Sequence, residues 1–176
     1  MRLFFDMDNV LADFEKDAKK HKVPGIELNK GDSLLSPDVL DEKKRFWQRI
    51  EKNQNFWLQL PMVTDIKLLL DYAIKMGDMY VLSKAPAASN FVGGKTYYNK
   101  IIKDKKTWIN QNMSKYFPKS RVIVSDVPKG KLIGPGATDV LIDDRLDNVN
   151  EWQQAGGAGI HFKDVAGAIQ YLAKLR

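Results

Sequence analysis

The length, composition and charge of this chain limit its class. It has 176 residues, of which 44% are hydrophobic and 28% are charged, as expected for one ordinary globular domain. It contains no cysteine, which excludes disulfide bonds and thiolate catalysis and is compatible with a reducing cytoplasm. It has neither an apolar run of about 18 residues nor an apolar signal region before its first aspartates, so we expect no membrane span, no export and a cytoplasmic location.

The net charge of +6 suits an anionic substrate or nucleic acid. A solvated, lysine-rich surface is the simpler explanation, because the lysines are spread along the chain. No basic block is long enough to form an arm that grips a duplex. The charge therefore gives no reason to expect a nucleic-acid partner.

Strand-like and helical patterns alternate along the chain. The strand-like runs are Leu3–Phe5, Met79–Leu82, Arg121–Val124, Val140–Ile142 and Gly159–Phe162. The helical patterns are Pro37–Asn53, Thr64–Met76, Thr96–Asn112, Leu146–Gln154 and Val165–Leu175. This alternation predicts an α/β fold with a parallel sheet that helices cover on both faces.

One segment interrupts the alternation. The roughly 50 residues between the first strand and Thr64 contain no clear strand, and a structureless loop of that length is rare in a compact domain. Ser36-Pro37 is a strong helix start, with serine at the N-cap and proline at the first helical position. We therefore predict a small helical insert, Phe14–Pro61, over one edge of the sheet, with residues 1–13 and 62–176 forming the α/β core.

Two acidic residues follow the first strand directly. Asp6 and Asp8 lie one residue apart at the end of the apolar run Leu3–Phe5. Carboxylates in such a position are costly unless a cation neutralises them or one holds a proton. This arrangement indicates a reaction centre.

More polar residues stand at the ends of later strands or just before the fourth one: Ser83, Ser125, Asp126, Lys129, Lys131, Asp143 and Asp144. Ligands of open parallel sheets bind beyond the carboxyl ends of the strands, so we expect most of these side chains at one rim. A set of acids without a thiol favours Mg²⁺ over zinc. A lysine and a hydroxyl beside the cation would hold a phosphate, and one carboxylate would attack phosphorus while a second manages protons.

Four motifs resemble those of a known superfamily. Asp6-Met7-Asp8-Asn9-Val10 is similar to the DxDx[VT] opening of the haloacid-dehalogenase-like (HAD) phosphatases. Ser83, Lys131 and the Asp143-Asp144 pair stand where the second, third and fourth motifs of that family fall. The resemblance implies a Rossmann-like core with a cap inserted after the first strand, and Mg²⁺ as cofactor.

The resemblance also implies a role for each motif residue. Asp6 would attack phosphorus to form an aspartyl-phosphate, and Asp8 would act as general acid and then as general base. Ser83 and Lys131 would bind the phosphate oxygens. The metal ligands would be Asp6, the backbone carbonyl of Asp8, and Asp144. Asp143 would orient the metal shell, and the two members of this late acidic pair could exchange roles.

A narrower resemblance points to the 5'(3')-deoxyribonucleotidases. It rests on the segments DMDNVLADF at 6–14, NFWL at 55–58 and LIDDR at 141–145. It implies a nucleoside monophosphate substrate, and the family is often dimeric, so a homodimer is one expected assembly. It implies that Phe14, Phe56 and Trp57 help to form the nucleoside pocket. Together with the phosphate-binding Ser83 and Lys131, and with Lys84 beside Ser83, they make up the predicted substrate-binding set.

The sequence departs from the pattern of this narrower family in several places. Asn9 replaces a common glycine, Ser83 stands where threonine is usual, and Lys84 begins a different tripeptide. The loop Lys131–Thr138 is also longer, which leaves Lys129 as a rival to Lys131. Base preference, sugar preference and the choice between 5' and 3' phosphates stay open.

Other interpretations remain for several features. Aromatic residues in a small insert are most often its core. The substrate could be another small phosphomonoester or a nucleic-acid end, or the chain could be a catalytically silent scaffold that binds nucleic acid. His21 and His161 are expected at the surface or in the core. Gly93-Gly94 is predicted to start a helix, because Ser89 stands where a phosphate-binding loop needs glycine.

Overall fold

Five strands in the described residues form one parallel sheet. The computed structural model of the protein describes residues 1–21 and 36–175. The strands are Arg2–Phe5 (β1), Asp78–Lys84 (β2), Val122–Ser125 (β3), Asp139–Asp143 (β4) and Ala158–His161 (β5). Their order is β3-β2-β1-β4-β5, and every neighbouring pair is parallel. The predicted α/β class with a parallel sheet is therefore confirmed.

Helices connect these strands. In the described ranges the α-helices are Phe14–Ala18 (α1), Pro37–Lys52 (α2), Ile66–Ala73 (α3), Gly94–Met113 (α4), Lys129–Ile133 (α5), Leu146–Gln154 (α6) and Val165–Ala173 (α7). Short 3₁₀ turns occur at Lys19–His21, Phe56–Leu58, Ala88–Asn90 and Lys119–Arg121. Over residues 1–21 and 36–175, no helix combines the length and apolar character needed to span a bilayer.

The structure confirms one of two predicted helix starts and differs from the prediction at the other start and at one predicted loop. Ser36 is the N-cap residue of α2 and Pro37 its first residue, as predicted. Thr64 does not cap α3, because the helix begins at Ile66 after Asp65, which takes a left-handed conformation with φ 60°. The predicted loop Lys131–Thr138 begins inside the short helix α5, Lys129–Ile133.

The central strand β1 separates two packed layers. Side chains alternate across a strand, so Leu3 and Phe5 enter the larger hydrophobic cluster, whereas Phe4 enters a smaller one with Trp152. At the start of the strands, the guanidinium of Arg2 donates to both carboxylate oxygens of Asp139 at 2.9 and 2.5 Å. This pairing joins β1 to β4 at the edge opposite the acidic residues.

The predicted insert shares the core of the sheet. Phe14, Phe46, Phe56 and Trp57 are all buried and belong to the same hydrophobic cluster as the β1 side chain Phe5. The part of the predicted insert at 22–35 lies outside the described residues. The rest, which we call the insert, packs directly against the sheet layer and α4.

Candidate active site

Three carboxylates meet at the carboxyl ends of β1 and β4. In the register of these strands Phe5 pairs with Ile142, so the next residues, Asp6 and Asp143, lie side by side. One carboxylate oxygen from each of Asp6, Asp143 and Asp144 lies within 4.8 Å of the others, which is a spacing suited to a metal ion. The structure thus brings together the early and late acids that the sequence suggested.

A buried lysine completes this cluster. The Nζ of Lys129 lies 2.9 Å from Oδ1 of Asp6 and 2.5 Å from Oδ2 of Asp143. Lys129 is 2% exposed, whereas Lys131 is exposed on the same short helix. Residues two apart on a helix are separated by about 200° around its axis, so only one of the two can face the acids. The structure therefore places Lys129, the rival that the sequence left open, against the acids and leaves Lys131 exposed.

Burial and mutual repulsion alter the acidity of this cluster. Burial raises the pKa of Asp6 to about 7, with the charge of Lys129 opposing the shift and the other aspartates adding to it. Burial likewise raises the pKa of Asp144 to about 6. Burial alone would lower the pKa of Lys129, but Asp143 and Asp6 outweigh it and raise this pKa above its usual value. The ionised forms of Asp6 and Asp144 are therefore disfavoured in the fold unless further positive charge is supplied.

A second buried lysine, which the sequence analysis missed, organises the other side of the site. The Nζ of Lys105 donates to Oδ2 of Asp8 at 2.6 Å, to Oγ of Ser83 at 3.1 Å and to the backbone oxygen of Lys84 at 3.1 Å. Lys105 is fully buried, and its ammonium lies 4.6 Å from the ring centroid of Trp57. Asp8 and Ser83 are thus joined through a cation from α4.

The spacing of the apolar residues along α4 indicates that Lys105 lies on the buried face of this helix. Lys105 lies four residues after Ile101 and three and four residues before Trp108 and Ile109, all of them buried. Residues at these spacings share one face of a helix. A lysine on a buried face needs a buried partner, so the helical periodicity marked Lys105 as a candidate. Lys84, in contrast, has an exposed side chain and contributes its backbone oxygen.

Polar neighbours orient the late acids. Asn9, which has φ 59°, donates from Nδ2 to Oδ2 of Asp144 at 2.9 Å. Asparagine tolerates this left-handed conformation better than most residues, which explains how it can replace glycine here. Asn148 donates to both oxygens of Asp143 at 3.1 Å, and Nε2 of His161 lies 2.9 Å from the backbone oxygen of Asp144. Neither Asn148 nor His161 was among the predicted site residues.

Two predicted strand-end residues lie where β3 ends and the following turn begins. The Oγ of Ser125 accepts a hydrogen bond from the backbone N–H of Val127 at 3.1 Å. Asp126 is exposed and forms a hydrogen bond with Tyr98. These contacts account for Ser125 as the last residue of β3 and for Asp126 as part of the turn that follows.

The predicted substrate-binding aromatics form one cluster. The ring centroid of Phe14 lies 5.7 Å from the ring centroid of Phe56 and 5.6 Å from that of Trp57. Phe56 and Trp57 are each 1% exposed and Phe14 is 7% exposed, so all three contribute to the core. Trp57 also faces the ammonium of Lys105, which connects this aromatic cluster to the polar site.

The site has the charge and the donors to hold a divalent cation. Its carboxylates, from Asp6, Asp8, Asp143 and Asp144, outnumber the ammonium groups of Lys105 and Lys129 by two. The Oδ1 atom of Asp8 is buried, and no group in the described residues donates a hydrogen bond to it. Clustered carboxylate oxygens are the donors that Mg²⁺ prefers. The residues therefore fit such a cation.

A separate cavity lies on the outer side of the insert. Its volume is about 550 Å³, and its lining residues are Arg45, Gln48, Arg49, Glu51, Lys52, Gln54 and Val92. None of the four carboxylates lines it. Its size therefore gives no measure of the substrate of the acidic site.

Comparison with known proteins establishes the fold. No family model matches the sequence, and no curated protein is significantly similar to it. The crystal structure of a haloacid dehalogenase-like family hydrolase from Xanthomonas campestris is 13% identical, with a TM-score of 0.61 over 99% of this chain and 91% of that chain. A hydrolase from Streptococcus pneumoniae TIGR4 is 14% identical, with a TM-score of 0.56 over 98% and 97% of the two chains.

A third similar structure is a HAD-superfamily hydrolase from Ehrlichia chaffeensis. It is 17% identical, with a TM-score of 0.54 over 99% of this chain and 96% of that chain. At such low identities the similarity defines the fold and not the activity. The chain has the fold of the haloacid-dehalogenase-like hydrolases. The narrower resemblance to deoxyribonucleotidases stays a prediction.

Proposed function

We propose that this protein is a Mg²⁺-dependent phosphatase that hydrolyses nucleoside monophosphates, with 5'(3')-deoxyribonucleotides as the preferred class. The observation that supports this most is the meeting of Asp6, Asp143 and Asp144 beside the buried Lys129. Phosphoryl transfer depends chiefly on positioning and on neutralising negative charge. A nucleophilic carboxylate, metal-binding oxygens and two buried lysines supply both requirements.

The metal would be held by Asp6, the backbone carbonyl of Asp8 and the late acidic pair. Asn9 fixes one oxygen of Asp144, and Asn148 and Lys129 engage Asp143. This pattern favours Asp144 as the direct ligand and Asp143 as the residue that supports the cluster. When bound, Mg²⁺ supplies positive charge to the phosphate oxygens and lowers the repulsion between phosphate and carboxylate.

The chain's own side chains would carry the covalent step. Asp6 attacks phosphorus, so that a carboxylate–phosphorus bond forms while the bond to the sugar oxygen breaks. Asp8 gives its proton to that oxygen and later takes a proton from the water that releases phosphate. Lys105 orients Asp8 by donating a hydrogen bond to its carboxylate, and it also donates to Ser83 at the same rim. Lys105, Ser83 and Lys129 would therefore bind the phosphate oxygens.

The insert would act as the cap of this site. Its aromatic cluster reaches the polar groups through Trp57, which faces Lys105. Because Phe56 and Trp57 are each 1% exposed, a base would contact the cluster at Phe14 or after a shift of the insert. Aromatic faces stack well on bases, and a closed insert would exclude bulk water from the aspartyl-phosphate.

Phosphate release from a panel of phosphomonoesters tests the proposed function. We expect hydrolysis of nucleoside monophosphates with Mg²⁺ and loss of activity when the metal is chelated. The panel contains ribo and deoxy forms, 5' and 3' phosphates, β-glycerol phosphate, sugar phosphates and a 5'-phosphorylated oligonucleotide. Equal rates on all compounds would indicate a general phosphatase. Salt-sensitive nucleic-acid binding without phosphate release would support the scaffold alternative.

Metal-free protein is expected to lose stability as the pH rises from about 4 to about 7. The pKa of Asp6 is raised to about 7 and that of Asp144 to about 6 in the folded state. The folded state thus binds these protons more tightly than the unfolded state does, and this stabilisation is lost as the pH passes the folded pKa values. Thermal unfolding in a chelator at pH 5 and pH 8 measures the effect.

Addition of Mg²⁺ is expected to reverse this loss. A ligand at 100 times its dissociation constant contributes about 2.7 kcal/mol, which corresponds to a rise of roughly 5–10 °C in the unfolding midpoint of a protein of this size. The rise should be larger at pH 8 than at pH 5, because protons compete for the same oxygens. Asp144→Asn is the control and should abolish most of it. An equal rise in wild type and Asp144→Asn would contradict this metal site.

A further inference from the structure

A line of polar contacts joins the insert to helix α4. The backbone N–H groups of Val92 and Gly93, just before α4, donate to the two carboxylate oxygens of Glu51 at 2.8 and 2.7 Å. Three α4 side chains then donate to backbone oxygens of the insert. They are Tyr97 to Ile50 at 3.4 Å, Lys100 to Gln54 at 2.5 Å and Trp108 to Leu60 at 2.7 Å.

Glu51 differs from the other members of this line. It contributes a side chain from the insert, whereas the other three contacts use insert backbone oxygens that substitution cannot remove. Its carboxylate holds two amide donors at once, and hydrogen bonds to a charged group are among the stronger ones in proteins. Changing Glu51 therefore breaks one end of the insert–α4 contact and leaves every α4 side chain in place.

Gly93 leaves the space that the carboxylate of Glu51 occupies in this contact. A Cβ atom at position 93 would lie 2.8 Å from Oε1 of Glu51 and 3.2 Å from Cβ of Tyr97. The backbone of Gly93 has φ −72° and ψ −1°, which any L-residue adopts, so glycine is not needed there for conformation. The absence of a side chain lets the carboxylate approach the two amides.

Helix α4 also carries the buried lysine of the site. Lys105 lies on the same helix as Tyr97 and Lys100, and its ammonium bonds Asp8 and Ser83 on one side while facing Trp57 of the insert on the other. The position of α4 against the insert therefore sets how Trp57 and the aromatic cluster stand relative to Asp8. Burial raises the pKa of Tyr97 to about 12, with Glu51 adding to the shift, so its hydroxyl remains a donor at neutral pH.

We propose that Glu51 is a positioning residue that latches the insert onto the N-terminal end of α4 and thereby holds the aromatic cluster over the phosphate site. This inference rests on the proposed nucleotidase function for its kinetic consequence. The latch acts on the part of the substrate that lies beyond the phosphate. A nucleoside monophosphate should depend on it, whereas β-glycerol phosphate, which has no base, should not.

Hydrogen exchange tests the latch without reference to activity. Val92 is 82% exposed and Gly93 is also exposed, so their amides should exchange rapidly unless Glu51 holds them. We expect Glu51→Gln and Gly93→Ala each to speed exchange at these two amides by about tenfold, the effect of losing a charge-assisted bond. Glu42→Gln is the matched control, because Glu42 is on the same helix but pairs with Arg45 of that helix at 2.9 Å.

Kinetics test the positioning role. For the best nucleoside monophosphate of the panel, both variants should raise KM by about tenfold and change kcat by less than about threefold, whereas the constants for β-glycerol phosphate stay unchanged. The double variant should be no worse than either single one, because both changes remove the same contact. Faster exchange with unchanged nucleotide KM, or an equal effect of Glu42→Gln, would overturn the proposal.

The two proposals fail in different ways. If wild-type protein hydrolyses no nucleoside monophosphate, the proposed function fails, and exchange at Val92 and Gly93 alone decides whether Glu51 is a latch. Unchanged exchange in Glu51→Gln would then overturn the latch as well. Faster exchange in Glu51→Gln but not in Glu42→Gln would support it independently of the substrate.

Discussion

Replacing Asp6 with asparagine is expected to abolish phosphate release while the protein stays folded and still binds its substrate. Asparagine has nearly the shape of aspartate but cannot act as the attacking oxyanion. Removal of a covalent nucleophile costs at least about 10⁴-fold in turnover in well-studied hydrolases. Acid quenching of wild type during turnover of a ³²P-labelled nucleotide should recover label on the protein, and Asp6→Asn should carry none.

Stability provides the control for this variant. Burial raises the pKa of Asp6 to about 7, so its ionised form is disfavoured in the metal-free fold. Asparagine removes that penalty, and Lys129 keeps Asp143 as a partner at 2.5 Å. The metal-free variant should therefore be at least as stable as wild type at pH 8. Turnover within tenfold of wild type, or label that persists on the variant, would exclude Asp6 as the nucleophile.

The second large effect is expected from Lys129→Met, with Lys131→Met as its matched control. Lys129 is buried between Asp6 and Asp143, and methionine fills similar space without the charge. Loss of a preorganised donor to the transition state costs about 10²–10³-fold in kcat. Removing one partner of a buried ion pair also destabilises a fold by about 3–5 kcal/mol, because it leaves the other charge uncompensated.

Lys131→Met should leave both properties near wild type, because Lys131 is exposed. Phosphate release and denaturant unfolding of the two variants, measured side by side, decide which lysine serves the site. Higher Mg²⁺ should offset part of the stability loss in Lys129→Met. If Lys131→Met is the inactive variant, the assignment made from the geometry is wrong and the motif-based assignment is restored.

The sheet could be predicted because each strand is marked by a short apolar run. Four of the five observed strands both begin and end within one residue of the predicted bounds, and α6 has the predicted range Leu146–Gln154. The prediction of strand β2 was short at both ends, because polar Asp78, Ser83 and Lys84 extend it where it pairs with neighbours on both sides. Apolar runs mark the buried middle of a strand better than its ends.

The position of the acidic residues could be predicted from the way in which parallel strands end at one rim of a sheet. Asp6 and Asp143 follow strands that the sequence could identify, and neighbouring parallel strands end at the same rim. Sequence order alone did not say that β1 and β4 are neighbours, which the resemblance supplied. The structure shows the pairing directly through Phe5 and Ile142.

The lysines could not be assigned with the same rule. Lys129 and Lys131 are both polar residues of one short segment, and which of them faces inward depends on the rotation of α5 about its axis. Lys105 was missed for a different reason, because a lysine in a basic helix is normally solvated. Its burial depends on Asp8, which follows β1, and on Ser83 in β2, and both come close to Lys105 only in the fold.

The neighbouring positions of β1 and β4 have a consequence for how the protein matures. Asp6 is synthesised before β2 and β3, whereas Asp143 and Asp144 are synthesised only after both of those strands. A product that stops before β4 would therefore lack two of the three carboxylates of the acidic cluster. The cluster would be complete only once β4 has been added to the sheet beside β1.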